Sequence, residues 1–408
     1  MIETKFKQTE IGLIPEDWEV VKLGNLCDIK GRIGFRGYTK EDLVTAGNGA
    51  FAIGGKHITH NELNLSDPEY ISWNKYYESP EIMVSYGDIV MAQRGTLGRA
   101  AIINNDIGYA TINPSLLLLK NIKCDNYYLF YYLTNRDTIA RILIMSSLTS
   151  IPMISQAQFN NFEISLPPIQ EQQCIATALS DIDALISALN KKIEKKKLIK
   201  QGAMQQLLTG QKRLTGFSEP WVEKRLGEIG NLSMCKRIFQ EETSESGDVP
   251  FFKIGTFGQQ ADAYISSTKY EKFKQMYRFP VKGSILISAA GTIGRTVVYD
   301  GEPAYFQDSN IVWLAHDEET ILNAFLYHVY HIVEWNTENT TIARLYNDNF
   351  NNTVINIPVS LSEQAAIAEI LSDMDKEIAK LEVKRTKYER IKQGMMQQLL
   401  TGKIRLTD

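Results

Sequence analysis

The chain has 408 residues, too many for one ordinary domain at roughly 150 residues each and enough for two or three. Hydrophobic residues make up 44% and charged residues 23%, which excludes a disordered, collagen-like or coiled-coil-only chain. The formal net charge is −4, on the wrong side of zero for a typical nucleic-acid binder, so any such role must rest on local features.

No run approaches the ~18 uncharged apolar residues of a membrane span, and the first residues carry no apolar signal-peptide core. Cys27, Cys124, Cys174 and Cys235 lie far apart with no Cys-x-x-Cys pair. Reduced, structural thiols in a cytoplasmic protein are expected.

In chain order, IPEDWEVVKLGNL (Ile14 to Leu26) opens a segment of mixed elements. A basic stretch follows, with Lys30, Arg32, Arg36, Lys40 and Lys56 interrupted by glycines. Such a loop lets the backbone approach phosphate. The segments DIVMA, AAIIN and SLLLLK are short strand candidates. Between the first two lies GTLGR, with Thr96 inside it, Arg94 just before it and Arg99 at its end. Asp125 to Leu143 reads as one helix with an aromatic-rich, core-facing side. The loop SSLTSIPMIS (Ser146 to Ser155), with Thr149, then leads to FNNFEISLPPIQEQ. Apolar residues at Ile175, Leu179, Ile182, Ile186, Leu189 and Ile193, in steps of four and three, predict a long helix. Pro167-Pro168 and Gly210 punctuate its two sides.

The whole order then repeats. Residues 171–214 and 363–406 share 25 identities in 44 positions at a constant offset, which establishes an internal duplication. Trp221 answers Trp18, Leu226-Gly227 answers Leu23-Gly24, GTIGR answers GTLGR, and FNNTVINIPVSLSEQ precedes the second helix. Lys236, Arg237 and Lys253 supply the second copy's early loops, Thr292 and Arg295 its glycine loop. Arg344, in TTIARLYND, stands where the SSLTSIPMIS loop stands in the first copy. SILISA, TVVYD and NIVWLA are strand candidates, and Glu319 to Trp335 reads as a helix. The expected fold is α+β: two similar mixed domains, residues 1–168 and 211–360, alternating with two long helices, residues 169–210 and 361–408. The helices are expected to pair as an antiparallel coiled coil of pseudo-twofold symmetry. Between shared anchors the copies diverge, so the same task on two different targets is expected.

Several motifs look catalytic and fail. GAFAIGGKH (Gly49 to His57) resembles a phosphate loop, but a second glycine precedes Lys56 and His57 replaces the magnesium-binding hydroxyl. Asn113-Pro114-Ser115-Leu116 lacks the second proline and the aromatic of a methyltransferase loop. His328 and His331 stand three apart without a carboxylate partner, so a structural role is expected rather than a metal. No nucleophile–base set is visible, and the chain is not expected to be an enzyme.

The duplicated pattern resembles the specificity (S) subunit of type I restriction–modification systems over essentially the whole length. IPEDWEVVKLG, the GTxGR loops, the Leu-Pro-Pro and Ile-Pro-Val exits and the IKQGxMQQLLTG tails carry it. That resemblance implies two target recognition domains, each reading half of a bipartite double-stranded DNA sequence, spaced by helices that dock two methyltransferase (M) subunits and, in the complete complex, restriction (R) subunits. It implies no cofactor in this chain. S-adenosylmethionine, ATP and magnesium would belong to the partners. The basic and hydroxyl residues named above, Lys40 aside, are the expected DNA contacts, each also consistent with a solvated surface. Met204, Gln205 and Leu208, with Met396, Gln397 and Leu400, are the expected docking residues. A non-catalytic protein scaffold and a self-contained DNA methyltransferase are the alternatives, to be separated by salt-sensitive DNA binding and by activity of the chain alone.

Overall fold

The structure, a computed structural model, describes residues 4–146, 152–336 and 344–407. It divides into two compact units, residues 1–190 with 384–408, and residues 191–383. Each therefore contains a mixed domain, the start of the long helix that follows it, and the end of the other long helix.

In the first unit a four-stranded antiparallel sheet runs in the order Ala100–Ile102, Ile89–Ala92, Leu116–Lys120, Asp28–Gly31. A second sheet is ordered Ala110–Ile112, Gly49–Ile53, Tyr70–Ser72, Leu43–Val44, its first pair parallel. The second unit repeats the plan. Its main sheet is Asn231–Met234, Ile311–Ala315, Ile285–Ser288, Thr296–Val298. A smaller sheet joins Tyr264–Ile265, Val249–Phe252 and Tyr305–Phe306, the last pair again parallel. All six strand candidates of the sequence are strands. The near-continuous apolar character of Ile89–Ala92 and Leu116–Leu119 reflects burial on both faces, whereas Thr296–Val298 is only partly buried.

The repeated anchors close each domain on itself. Glu19–Lys22 pairs antiparallel with Glu163–Leu166, and Trp221–Arg225 with Val354–Pro358. The Leu-Gly dipeptide follows each opening strand for a steric reason. A Cβ on Gly24 would sit 2.7 Å from Asn160 Oδ1, and one on Gly227 would sit 3.0 Å from Asn351 Cβ. The FNN motif thus packs closely against the glycine of each Leu-Gly dipeptide.

Two helix expectations are corrected. Asp125–Leu143 is two helices, Asn126–Thr134 and Arg136–Met145, because Asn135 adopts the extended backbone of an N-cap residue and restarts the helix. Glu319–Trp335 contains only Asn323–Val329. Trp335 instead stacks on Phe350, rings 5.7 Å apart, so tertiary packing overrides helical periodicity there.

The long helices are Ile169–Leu207 and Leu361–Leu399. Within the first unit Ile175, Ala176 and Leu179 share a core with Leu399 and Leu400, and Asp183 pairs with Lys392. Within the second, Met204 and Leu207 share a core with Ile367, Ala368 and Leu371. Lys200–Asp375 and Lys197–Glu382 flank that seam in antiparallel order. The four cysteines are free. Burial pushes the thiols of Cys27, Cys124 and Cys235 up to about 12, the behaviour of inert core thiols.

Candidate nucleic-acid interface

In each unit three loops meet at one end of the main sheet. The glycine loop of the first unit begins where the Gln93 amide donates to the Ser115 carbonyl at 3.0 Å and its side chain donates to the Pro114 carbonyl at 2.7 Å. On its other flank the Ile154 amide donates to Gln93 O and the Gly95 amide to Pro152 O. An isolated antiparallel bridge sets Arg94 opposite Met153. The second unit is built alike. The Ala289 amide donates to Asn310 O, the Leu345 amide donates to Ala289 O, and Ala290 stands opposite Arg344. Gly95, Gly98, Gly291 and Gly294 all have positive φ, which glycine adopts without a Cβ penalty. The GTxGR signature is thus a turn held between two other loops.

The expected contact residues divide into several groups. Arg94, Thr96, Arg99, Thr292 and Arg344 are exposed on these loops, as is Lys236 nearby. Arg36, Lys56, Arg237 and Lys253 are surface cations held by Glu81, Asp67, Asp308 and Asp262. Such pairs orient a cation and are weak enough to exchange for phosphate. Lys30 is half-buried on its strand, and Arg295 donates to the Phe257 carbonyl at 2.9 Å. Thr149 lies outside the described residues. Arg32 requires a correction. It is 6% exposed, donating to Ile112 O and Thr111 Oγ1 at 3.0 Å and to Arg36 O at 3.3 Å. Burial lowers its pKa from the usual arginine value. A desolvated guanidinium survives only with its donors satisfied, so Arg32 holds the early basic loop in place instead of meeting a ligand.

The helix tails need a similar correction. Met204 and Leu208 belong to the core of the second unit and Leu400 to that of the first, so these side chains are not a docking surface. Met396 is half-buried, whereas Gln205 and Gln397 are exposed. The arginine repeated just after each tail has an internal role. Arg405 donates from Nε to Glu171 Oε1 at 2.7 Å and from Nη2 to Oε2 at 2.8 Å. Arg213 donates to Glu363 at 2.7 Å through both arms. Glu171 is 2% exposed and Glu363 fully buried. Next to them Gln172 and Gln364 accept from the Asp125 and Leu322 amides and donate to Pro167 O and Pro358 O. Sequence reasoning assigned no role to this Glu-Gln pair, although its repetition at both helix starts was the signal.

The model of the type I restriction modification DNA specificity domain matches twice, over residues 15–198 and 218–393. The chain belongs to that family. A specificity subunit assigned to a type I restriction enzyme of Haemophilus influenzae is 42% identical over 261 residues, covering 62% of this chain and 65% of that relative. The chain thus spans less than two thirds of that relative's length. The MjaVIII specificity subunit of Methanocaldococcus jannaschii is 25% identical over 99% of this chain and 97% of its own. Among solved structures, the S subunit from M. genitalium aligns with a TM-score of 0.60 at 17% identity, covering 97% of this chain and 98% of that one. A chain from a study of type I complex assembly gives 0.56 at 19% identity over 96% and 99%. These likenesses show a shared fold of two specificity domains carried on long helices. Met153 is a residue of the three-loop platform that sequence reasoning passed over. Its only signal was its alignment, through the FNN anchor, with Arg344.

Proposed function

We propose that this chain is the non-catalytic, DNA-reading subunit of a type I restriction–modification complex in the cytoplasm. Each unit reads one half of a bipartite duplex target through its three-loop platform. Two methyltransferase subunits dock on the helices, with the exposed Gln205 and Gln397 faces as the sites, and restriction subunits join the full assembly. S-adenosylmethionine, ATP and magnesium act in those partners. The observation that carries this reading is the recurrence of one platform, with equivalent hydrogen bonds and different exposed side chains, in both copies. A pair of similar readers suits a duplex approached from two half-sites, and loop-borne Arg and Thr can address phosphates and base edges.

The test is a segment exchange. Replacing residues 15–168 by the corresponding segment of a relative, in the complete chain expressed with its methyltransferase partner, should change one half of the methylated sequence and leave the other. Methylation mapping in a methylation-free host reads the outcome. A change in both halves would defeat the two-reader scheme.

A further inference from the structure

The two bridges of the platform contain the same pair of positions with the arginine exchanged between them. The glycine-loop anchors Gly87 and Gly283 place Arg94 on Ala290, and the FNN anchors Phe159 and Phe350 place Met153 on Arg344. The structure makes these positions partners, Arg94 opposite Met153 and Ala290 opposite Arg344. Directly opposed residues of an antiparallel pair project from the same face, their Cβ atoms about 5 Å apart. Arg94 Nη2 lies 3.5 Å from Met153 Sδ, which shows the common face in the first unit. In the second, Ala290 is 6% exposed and Arg344 is exposed. Each bridge thus presents one guanidinium and one apolar partner, from whichever strand supplies it. Two arginines would repel across the bridge.

These arginines also differ from the other cations nearby. Arg36, Lys56, Arg237 and Lys253 are held by carboxylates, and Arg295 by a carbonyl. Among the described residues neither Arg94 nor Arg344 is in an ion pair. A planar fork of donors beside an apolar neighbour, on a loop assembly present in both copies, matches the O6/N7 edge of guanine in the major groove. We infer that the bridge is the base-reading position of each unit, with Arg94 reading a guanine in one half-site and Arg344 a guanine in the other.

This rests on the DNA-reading function proposed above. The test selects binding sites from a randomised duplex library with the full chain assembled with its methyltransferase partner. Arg94→Ala should cut discrimination at a single G·C pair of one half-site by about tenfold to a hundredfold, the other half being unchanged. Arg344→Ala should do the same in the opposite half. In Arg94→Ala/Met153→Arg the guanidinium returns from the facing strand, and preference for G·C should reappear in the same half-site. Circular dichroism of each variant confirms the fold. Equal weakening on all sequences, with a shallower salt dependence, would make these phosphate contacts and overturn the assignment. Unchanged selection by Arg94→Ala would overturn it as well. If the wild-type assembly selects no sequence, the DNA-reading function itself falls, which separates the two failures.

Discussion

At the scale of single residues, the buried polar groups explain more of this molecule than the charges that first draw the eye. Glu171 receives both arms of Arg405 and the Trp18 indole N–H at 3.0 Å, fastening the chain's last residues to the first domain. Arg405→Met leaves a carboxylate with 1% side-chain exposure without its cation. That should cost the first unit about 3 kcal/mol, the lower end of the range for breaking a buried pair because Trp18 still donates. Urea unfolding checks it. His328 makes a second case. It is fully buried on the helix Asn323–Val329, with Nε2 3.1 Å from Ser372 Oγ. Burial, then the nearby Lys200 charge, pushes its pKa down from 6.5 to about 4. The unfolded chain binds that proton more readily, so the second unit should lose stability as pH falls from about 6.5 towards 4. His328→Gln should flatten this part of a stability–pH profile, and an unchanged slope would place its origin elsewhere.

At the scale of elements, the long helices show why periodicity is a safe guide to burial and a poor guide to partners. The apolar positions Ile175, Leu179, Ile367 and Leu371 are buried, as their three-and-four spacing requires. The tails are different. Leu208 and Leu400 look like a surface ready for a partner when read as one helix face, but Leu208 lies in the core that Trp221 packs against and Leu400 in the core that holds Trp18. Gly402 is close enough to that layer that a Cβ would sit 2.3 Å from Pro15. Leu208→Ala and Leu400→Ala should each destabilise their own unit by about 2–5 kcal/mol, visible as faster amide exchange in that unit alone. Gln205→Arg and Gln397→Arg, being exposed, should leave stability unchanged and reduce co-purification of a methyltransferase subunit. Normal co-purification of the double variant would move the docking face away from the tails.

At the scale of the whole molecule, duplication gives both units the same plan, and it was legible directly from residue order. Identity at a fixed offset needs no geometry, so the two domains, the alternating helices and the family resemblance followed from the chain as written. Six of the strands were equally legible, because runs such as DIVMA, SLLLLK and NIVWLA are apolar, too short for helices and bounded by turn residues. Folding was needed to tell apart groups of identical composition. Arg32 and Arg94 are both arginines in glycine-rich stretches. One is enclosed by Ile112 and Thr111 and the other stands exposed on a bridge, because their surroundings come from strands ~60–80 positions away in the chain. The pairing of Glu171 with Arg405, 234 residues apart, is of the same kind. Local propensity and spacing act over a few residues, whereas desolvation and hydrogen-bond satisfaction depend on whatever the completed fold brings alongside. Residue order therefore sufficed for the duplicated plan, and the choice of which cations hold the platform together and which face outward was made by long-range packing.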